Sequence, residues 1–352
     1  MRIQAIQFPW FSRPPRSSQQ RFGGFLGLWA VMLLLAAFAE PAFAEQCYNA
    51  NDMDAAARSS MERSAVQYFN DFATGNTADL QRNANASLAA NFAGVQAAVS
   101  ENQSILSGGQ ATARATYQLD TGGTGTLDRA EFLCGIWGTP QFVSFDLTNL
   151  PAGRYGLVIE DVKTSKQPYY VSFVLQQEQP NGPWKLAGFP PPAPAEVLGH
   201  DAPWYLTKAR EFKSKGQAHN AYFYYQQARA LVAPVSFMSD TPILKLDREA
   251  QQSVPADLPI KGPVALAASN GKSYSLTQEF PVVVEGGMDL VVKYSLPDVS
   301  DTGKTFQDNT AVISAVVHTH PEYRETFQGV VARAVDPSGH DYGTLLAMKD
   351  IK

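Results

Sequence analysis

The chain has 352 residues, a formal net charge of −5 and 45% hydrophobic content, enough for two domains with real cores. Lys and Arg total 28 against 33 Asp and Glu, with no basic cluster, which excludes nucleic acid and anionic lipid as natural partners. Two cysteines exclude a disulfide-dense scaffold.

The first 44 residues read as an export signal. Arg2, Arg13, Arg16 and Arg21 form a basic front, Phe22 to Ala39 is uncharged and apolar, and Ala42-Phe43-Ala44 is a small-x-small cleavage site. Cleavage after Ala44 predicts a periplasmic or secreted bacterial protein with no stable membrane anchor. The alternative is an inner-membrane anchor formed by uncleaved 22–39. Losing the leader removes four arginines and one glutamate, taking the net charge to −8. Cys47 and Cys134 then read as a disulfide in an oxidising compartment, the alternative being two free thiols.

Asp52 to Thr74 carries Met61, Ala65, Tyr68, Phe69 and Phe72 at helical spacing, and Gly75-Asn76 ends it. A short helix from Thr77 through Leu80 follows. A third apolar stripe, Leu88, Phe92, Val95 and Val99, predicts one more helix before Gly108-Gly109. The period then changes to two. Strand-like runs appear at Ala111 to Tyr117, Phe132 to Trp137, Gln141 to Leu147 and Gly153 to Val162. Tyr170 to Gln176 and Trp184 to Phe189 close the segment as an antiparallel hairpin across Pro180-Asn181-Gly182-Pro183. Helices first and meandering strands after predict an α+β class, with the N-terminal helices packed on a curved antiparallel sheet.

The order of elements, the YFNDFATGN helix end and the YYVSFVLQQ…WKLAGF pair resemble the nuclear transport factor two-like family over about residues 50–190. That resemblance implies a cone-shaped α+β domain whose sheet wraps a long helix. Some members are isomerases, dehydratases or epoxide hydrolases with an acid or base in the concave pocket. Asp146, Glu160, Asp161, Tyr68 and Tyr117 are the polar candidates for such a role here, and a solvent-facing carboxylate explains each acid equally simply.

Pro190-Pro191-Pro192-Ala193-Pro194 is extended linker chemistry. Trp204 to Pro234 resembles a single tetratricopeptide-like helix pair, with Tyr205, Ala209, Phe212, Gly216, Ala221, Tyr225 and Ala228 near that repeat's small and aromatic positions. Residues 191–254 are thus expected as a helical hairpin and linker of their own. Tyr222, Phe223 and Tyr224, successive aromatics on a helix, are candidates for a partner surface. Asp240-Thr241-Pro242 begins a third helix that runs to about Ser253. Residues 255–352 alternate at Ser273 to Val284 and Asp289 to Leu296. A helix from Gly303 to His318, its buried stripe made by Phe306, Thr310, Ile313 and Val317, separates them from strands at Gly329 to Val335 and Tyr342 to Met348. This predicts a C-terminal two-layer α/β domain.

Asp120 to Glu131 carries Asp120, Asp128 and Glu131 at calcium-loop positions. Gly122 and Thr124 replace two carboxylate ligands, and the entering segment reads as strand, so a glycine-rich loop between strands explains the same residues. Of the five histidines, His200, His219, His318, His320 and His340, only His318 and His320 lie close in sequence. On a helix end their side chains diverge. No zinc spacing, nucleophile elbow or phosphate loop occurs, so no metal or cofactor is implied. The reading that follows is an exported non-catalytic binding or scaffold protein, its partner an envelope protein or a small hydrophobic ligand. The alternative is an isomerase- or hydrolase-type enzyme using a cavity in the N-terminal domain.

Overall fold

A computed structural model describes residues 45–352, and the segment read as an export signal lies outside them. The fold is mixed α+β. Two compact units form: residues 45–193 with Ala233–Pro242, and Pro194–Val232 with Ile243–Lys352.

The first unit opens with strand β1 (Gln46–Tyr48) and helix α1 (Ala55–Thr74). Asp54 caps α1 by accepting from the amides of Ala56 and Ala57 at 2.9 and 3.0 Å. Gly75, at φ 76°, closes it in the left-handed conformation that a side chain resists. Helices α2 (Thr77–Arg82), α3 (Ala86–Ala90) and α4 (Ala93–Leu106) follow. The single helix expected through Leu88, Phe92 and Val99 is broken after Ala90. Asn91 ends α3 and buried Phe92 turns the chain into α4.

Strands β2 (Gln110–Asp120), β3 (Leu127–Cys134), β4 (Val143–Leu150), β5 (Arg154–Lys163), β6 (Pro168–Gln177) and β7 (Trp184–Gly188) complete the unit's main chain path. One antiparallel sheet runs β1-β2-β5-β6-β7. The expected hairpin is present, with Leu175 opposite Leu186 and Gln177 opposite Trp184. Asn181, at φ 60°, takes the tight position of its turn. Register breaks at Arg114 of β2 and at Ala187 of β7, each an extra residue against its partner strand, are the bulges that bend a sheet. β3 and β4 pair in a separate sheet. β5 is therefore covered on both faces. Val158 and Val162 join the cluster of Phe69, Phe72, Phe173 and Phe189 under the helices. Leu157 and Ile159 join Phe132, Phe145 and Phe237 beside β3 and β4.

The run predicted as strand from Phe132 to Trp137 ends at Cys134, because Gly135 (φ 75°) and Gly138 (φ 80°) turn the chain. Cys47 and Cys134 form a disulfide with Cα atoms 5.1 Å apart. It joins β1 of one sheet to β3 of the other.

The proline cluster ends in the two-residue strand β8 (Ala193–Pro194), followed by the two-residue strands β9 (Glu196–Val197) and β10 (His200–Asp201). Helices α5 (Ala202–Ser214) and α6 (Ala218–Val232) follow, then strand β11 (Met238–Asp240). β11 returns to the first unit, pairing Met238 with Phe145 of β4. Helix α7 (Thr241–Gln251) starts where the Asp-Thr-Pro signal placed it.

The second unit is built on a five-stranded sheet in sequence order: β12 (Val264–Ala267), β13 (Ser273–Val284), β14 (Gly287–Ser295), β15 (Gly329–Val335) and β16 (Asp341–Ala347). Only β14 and β15 run parallel, so the connection between them needs a crossover, supplied by α8 (Thr302–Thr319). The helix pair α5–α6 is not a separate linker. Tyr205, Ala209, Phe212, Phe223 and Tyr225 share one core with Tyr274, Leu290, Val292, Val316 and Tyr323. Ion pairs from Arg210 to Glu249 and from Arg229 to Asp247 fasten α7 to that pair.

The buried face of α8 is rotated from the expected one. Ile313 and Val317 are buried, but Phe306 is exposed, and Thr305, Asp308 and Asn309 face inward instead. The polar pair is tolerated because it is satisfied. The hydroxyl of Tyr274 donates to Asp308 at 2.6 Å and Lys272 pairs with it at 2.5 Å. Tyr294 donates to the Asn309 carbonyl at 2.9 Å, and the Asn309 amide donates to Thr344 at 2.9 Å.

Candidate functional site

In the first unit, Asp146, Asp161, Tyr68 and Tyr117, four of the five polar candidates expected from the sequence, are each engaged in a contact of their own. Asp146 accepts two hydrogen bonds from Arg129, at 2.9 and 2.8 Å, on the surface. Asp161 pairs with Arg114 at 3.2 Å, also near solvent. Tyr68 is buried and donates to the carbonyl of Trp184 at 2.8 Å, and burial pushes its hydroxyl up to about 12. Tyr117 stacks edge-on to Phe145 at 4.8 Å, its hydroxyl raised by burial and then by Asp240. Under the helices the sheet face is filled with aromatic side chains, Phe72 lying 4.2 Å and Phe173 5.4 Å from Phe189.

Glu160 is different. It projects from β5 on the same side as Val158 and Val162, is 0% exposed, and neither carboxylate oxygen has a hydrogen-bond partner. Burial raises its carboxyl from 4.5 to about 8. Grouping it with solvent-facing acids overlooked one signal: Leu157-Val158-Ile159 has no alternation, the mark of a strand covered on both faces.

The glycine-rich segment is a loop between strands. Asp120 ends β2, accepts from the Gly122 amide at 3.2 Å and lies 3.7 Å from Arg154. Asp128 and Glu131 are exposed on β3, Glu131 lying 3.8 Å from Arg129. The open groove here, about 430 Å³, is lined by Asp120, Gly122, Thr124, Arg154, Gln177 and Glu178.

In the second unit the aromatic run of α6 is mostly interior. Phe223 and Tyr224 are 1% and 8% exposed, and Tyr222 is half-buried. Phe223 meets Tyr323 at 6.0 Å and Phe327 at 5.7 Å. A partner would find little of this run.

The start of α6 instead places His219 against the end of α8. His320 caps α8, while His318 points to solvent, as helical geometry requires. The His219 and His320 rings lie 4.0 Å apart. Asp257 stands at one edge of the pair: its carboxylate is 2.9 Å from His219 Nε2 and 3.6 Å from His320 Nε2. Glu322, on the 3-10 turn Pro321–Glu325, stands at the other. Its Oε1 is 3.3 Å from His219 Nδ1 and 3.8 Å from His320 Nδ1. Asn220 holds that turn by donating to the Glu322 carbonyl at 2.7 Å. The Tyr323 ring packs against both imidazoles and its hydroxyl donates to Glu279 at 3.1 Å. Burial, and next the neighbouring His219, hold His320 below the ordinary 6.5, and burial lifts Glu279 to about 7.

Among the described residues, His219, His320 and Glu322 are the one cluster of three potential metal ligands. Sequence reasoning missed it because the two histidines lie 101 positions apart and only the fold brings α6 to the end of α8. No family model, no curated protein and no solved structure matches this chain.

Proposed function

We propose that this chain is an exported binding or scaffold protein of the bacterial envelope, non-catalytic in its first unit. The observation that carries this reading is the aromatic filling of the sheet face beneath the helices. An enzyme of the resembling family would need a hollow there, and Phe69, Phe72, Phe173, Trp184 and Phe189 occupy the space with 3% exposure or less. The disulfide fits an oxidising compartment. No helix among the described residues is long and apolar enough to cross a membrane. The loop after β3 supports a protein partner: Ile136 is 73% and Trp137 69% exposed, next to exposed Leu133. Large apolar side chains held in water beside a disulfide serve a partner better than they serve the fold.

A photo-cross-linking residue at position 137 is expected to trap a discrete protein adduct in living cells, with none formed from exposed position 128. Equal labelling from both positions, or none from 137, removes this surface from the reading.

One observation favours a second reading, an acid–base enzyme for a small hydrophobic substrate: the unpartnered carboxyl of Glu160 in the same interior. Such a group must be reachable. Carbodiimide with glycinamide at pH 6 should leave Glu160 unmodified in the folded binding protein, as mapped by peptide mass analysis. Modification as fast as that of exposed Glu131 would turn the assignment toward catalysis.

A further inference from the structure

We propose that His219 Nδ1, His320 Nδ1 and Glu322 Oε1 bind a divalent transition-metal ion of the zinc type, with Asp257 orienting the His219 imidazole from its opposite edge.

Hydrogen-bond arithmetic leads there first. An ionised carboxylate only accepts, so the 2.9 Å contact with Asp257 keeps the proton of a neutral His219 on Nε2. Its Nδ1 lone pair then faces Glu322 Oε1 at 3.3 Å, and His320 Nδ1 faces the same oxygen at 3.8 Å. Acceptors facing one another at these distances call for a bridging donor or cation between them, and a titration with metal separates a bound ion from a water. A proton serves only one nitrogen and leaves the other opposed to the same oxygen. A metal ion satisfies all three donors at once.

Distance selects the kind of ion. Ligand atoms about 2.0–2.1 Å from a tetrahedral ion stand about 3.4 Å from each other, against about 3.0 Å for neighbours around an octahedral one. The observed 3.3 and 3.8 Å lie at and beyond the tetrahedral value. Two imidazoles with one carboxylate are also borderline donors suited to zinc, and they leave a fourth position for water or another ligand. Asp257 completes a carboxylate–histidine–metal arrangement, in which the outer carboxylate fixes the tautomer and the ring angle. The Tyr323 ring against both imidazoles and the Asn220 bond to the Glu322 carbonyl hold the donors in place. Asp257 is half-exposed and gives the ion a way in.

The test uses tag-free protein stripped with EDTA, titrated with Zn(II) against a chromogenic chelator, and with Co(II) for its tetrahedral absorption. One ion per chain is expected in the wild type. His320→Gln and Glu322→Gln should lose that binding with unchanged far-UV circular dichroism. Asp257→Asn should keep the stoichiometry and weaken affinity about 10–100-fold. No competition with the chelator in the wild type overturns the proposal, as does undiminished binding by folded His320→Gln. Complete loss in Asp257→Asn would make Asp257 a ligand and overturn the assigned edge. The exposed Asp257 variant remains readable even if a buried-histidine variant fails to fold. None of these outcomes bears on the cross-linking surface of the first unit.

Discussion

The Cys47→Ala/Cys134→Ala double variant is expected to lose about 4–5 kcal/mol of stability in the first unit, measured from urea midpoints. The bond closes a loop with a sequence separation of 87, which spans the whole helical segment and β2. Releasing it restores that loop's freedom to the unfolded chain, and the entropy of closure grows with the logarithm of loop length. The native side has little to compensate. β1 is three residues long and pairs along one edge only, with β2. Its other tie is the disulfide, which carries it to β3 in the second sheet. Wild-type protein unfolded in reductant should match the double variant. A midpoint difference worth less than about 1 kcal/mol between oxidised and reduced protein would show that the bond does not restrain the unfolded chain as argued.

Glu160 sets the second large effect, with the opposite sense in its pH dependence from an ordinary ion-paired acid. Its folded carboxyl titrates near 8 against 4.5 when unfolded, so the native state holds the extra proton between those values. Stability must then fall as pH rises through this window, at about 1.4 kcal/mol per pH unit, and level off above it. Across the window the loss sums to roughly 3–6 kcal/mol. Below pH 4.5 both states are protonated and the penalty is absent. Glu160→Met should flatten the curve for the first unit and leave the variant more stable than wild type at pH 8. Near pH 4.5 the two should differ little. Urea unfolding at several pH values, followed by a probe confined to the first unit, measures it. A wild-type midpoint that climbs from pH 5 to pH 8 would place Glu160 in water or beside a cation.

These two results bear on function as well as on stability. A carboxyl that weakens its own fold in the neutral range is retained at a cost, which is why it sustains the catalytic reading beside the binding one. The disulfide, by contrast, steadies the strand that leads directly into the exposed Ile136–Trp137 loop, the feature that favours a partner.

Much of the architecture was legible from local chemistry. Gly75 ends α1 where the Gly75-Asn76 signal placed its end, and α7 begins at Thr241 within the Asp240-Thr241-Pro242 signal. The strand-like runs became β2, β4, β5, β6 and β7, and the Asn181-Gly182 turn paired the last two. Composition also singled out Cys47 and Cys134, since only two thiols were available to pair. All of these depend on residues within a few positions of each other, or on a count.

The tertiary structure alone decided the rest, because the cost of burying a polar group depends on partners that may lie anywhere in the chain. α8 turned Asp308 and Asn309 inward, and Phe306 outward, because Lys272, Tyr274, Tyr294 and Thr344 were there to receive them. Glu160 became a buried acid because β5 is covered on both faces, while Asp161 next to it reached Arg114 and solvent. The helix pair joined the second core rather than forming a spacer, through contacts of Phe223 with Tyr323 and Phe327. His219 and His320, unremarkable on their own helices, acquired a shared purpose only when folding set their rings side by side between two carboxylates. Short-range periodicity dictates which elements form; long-range burial dictates which polar groups end up facing one another.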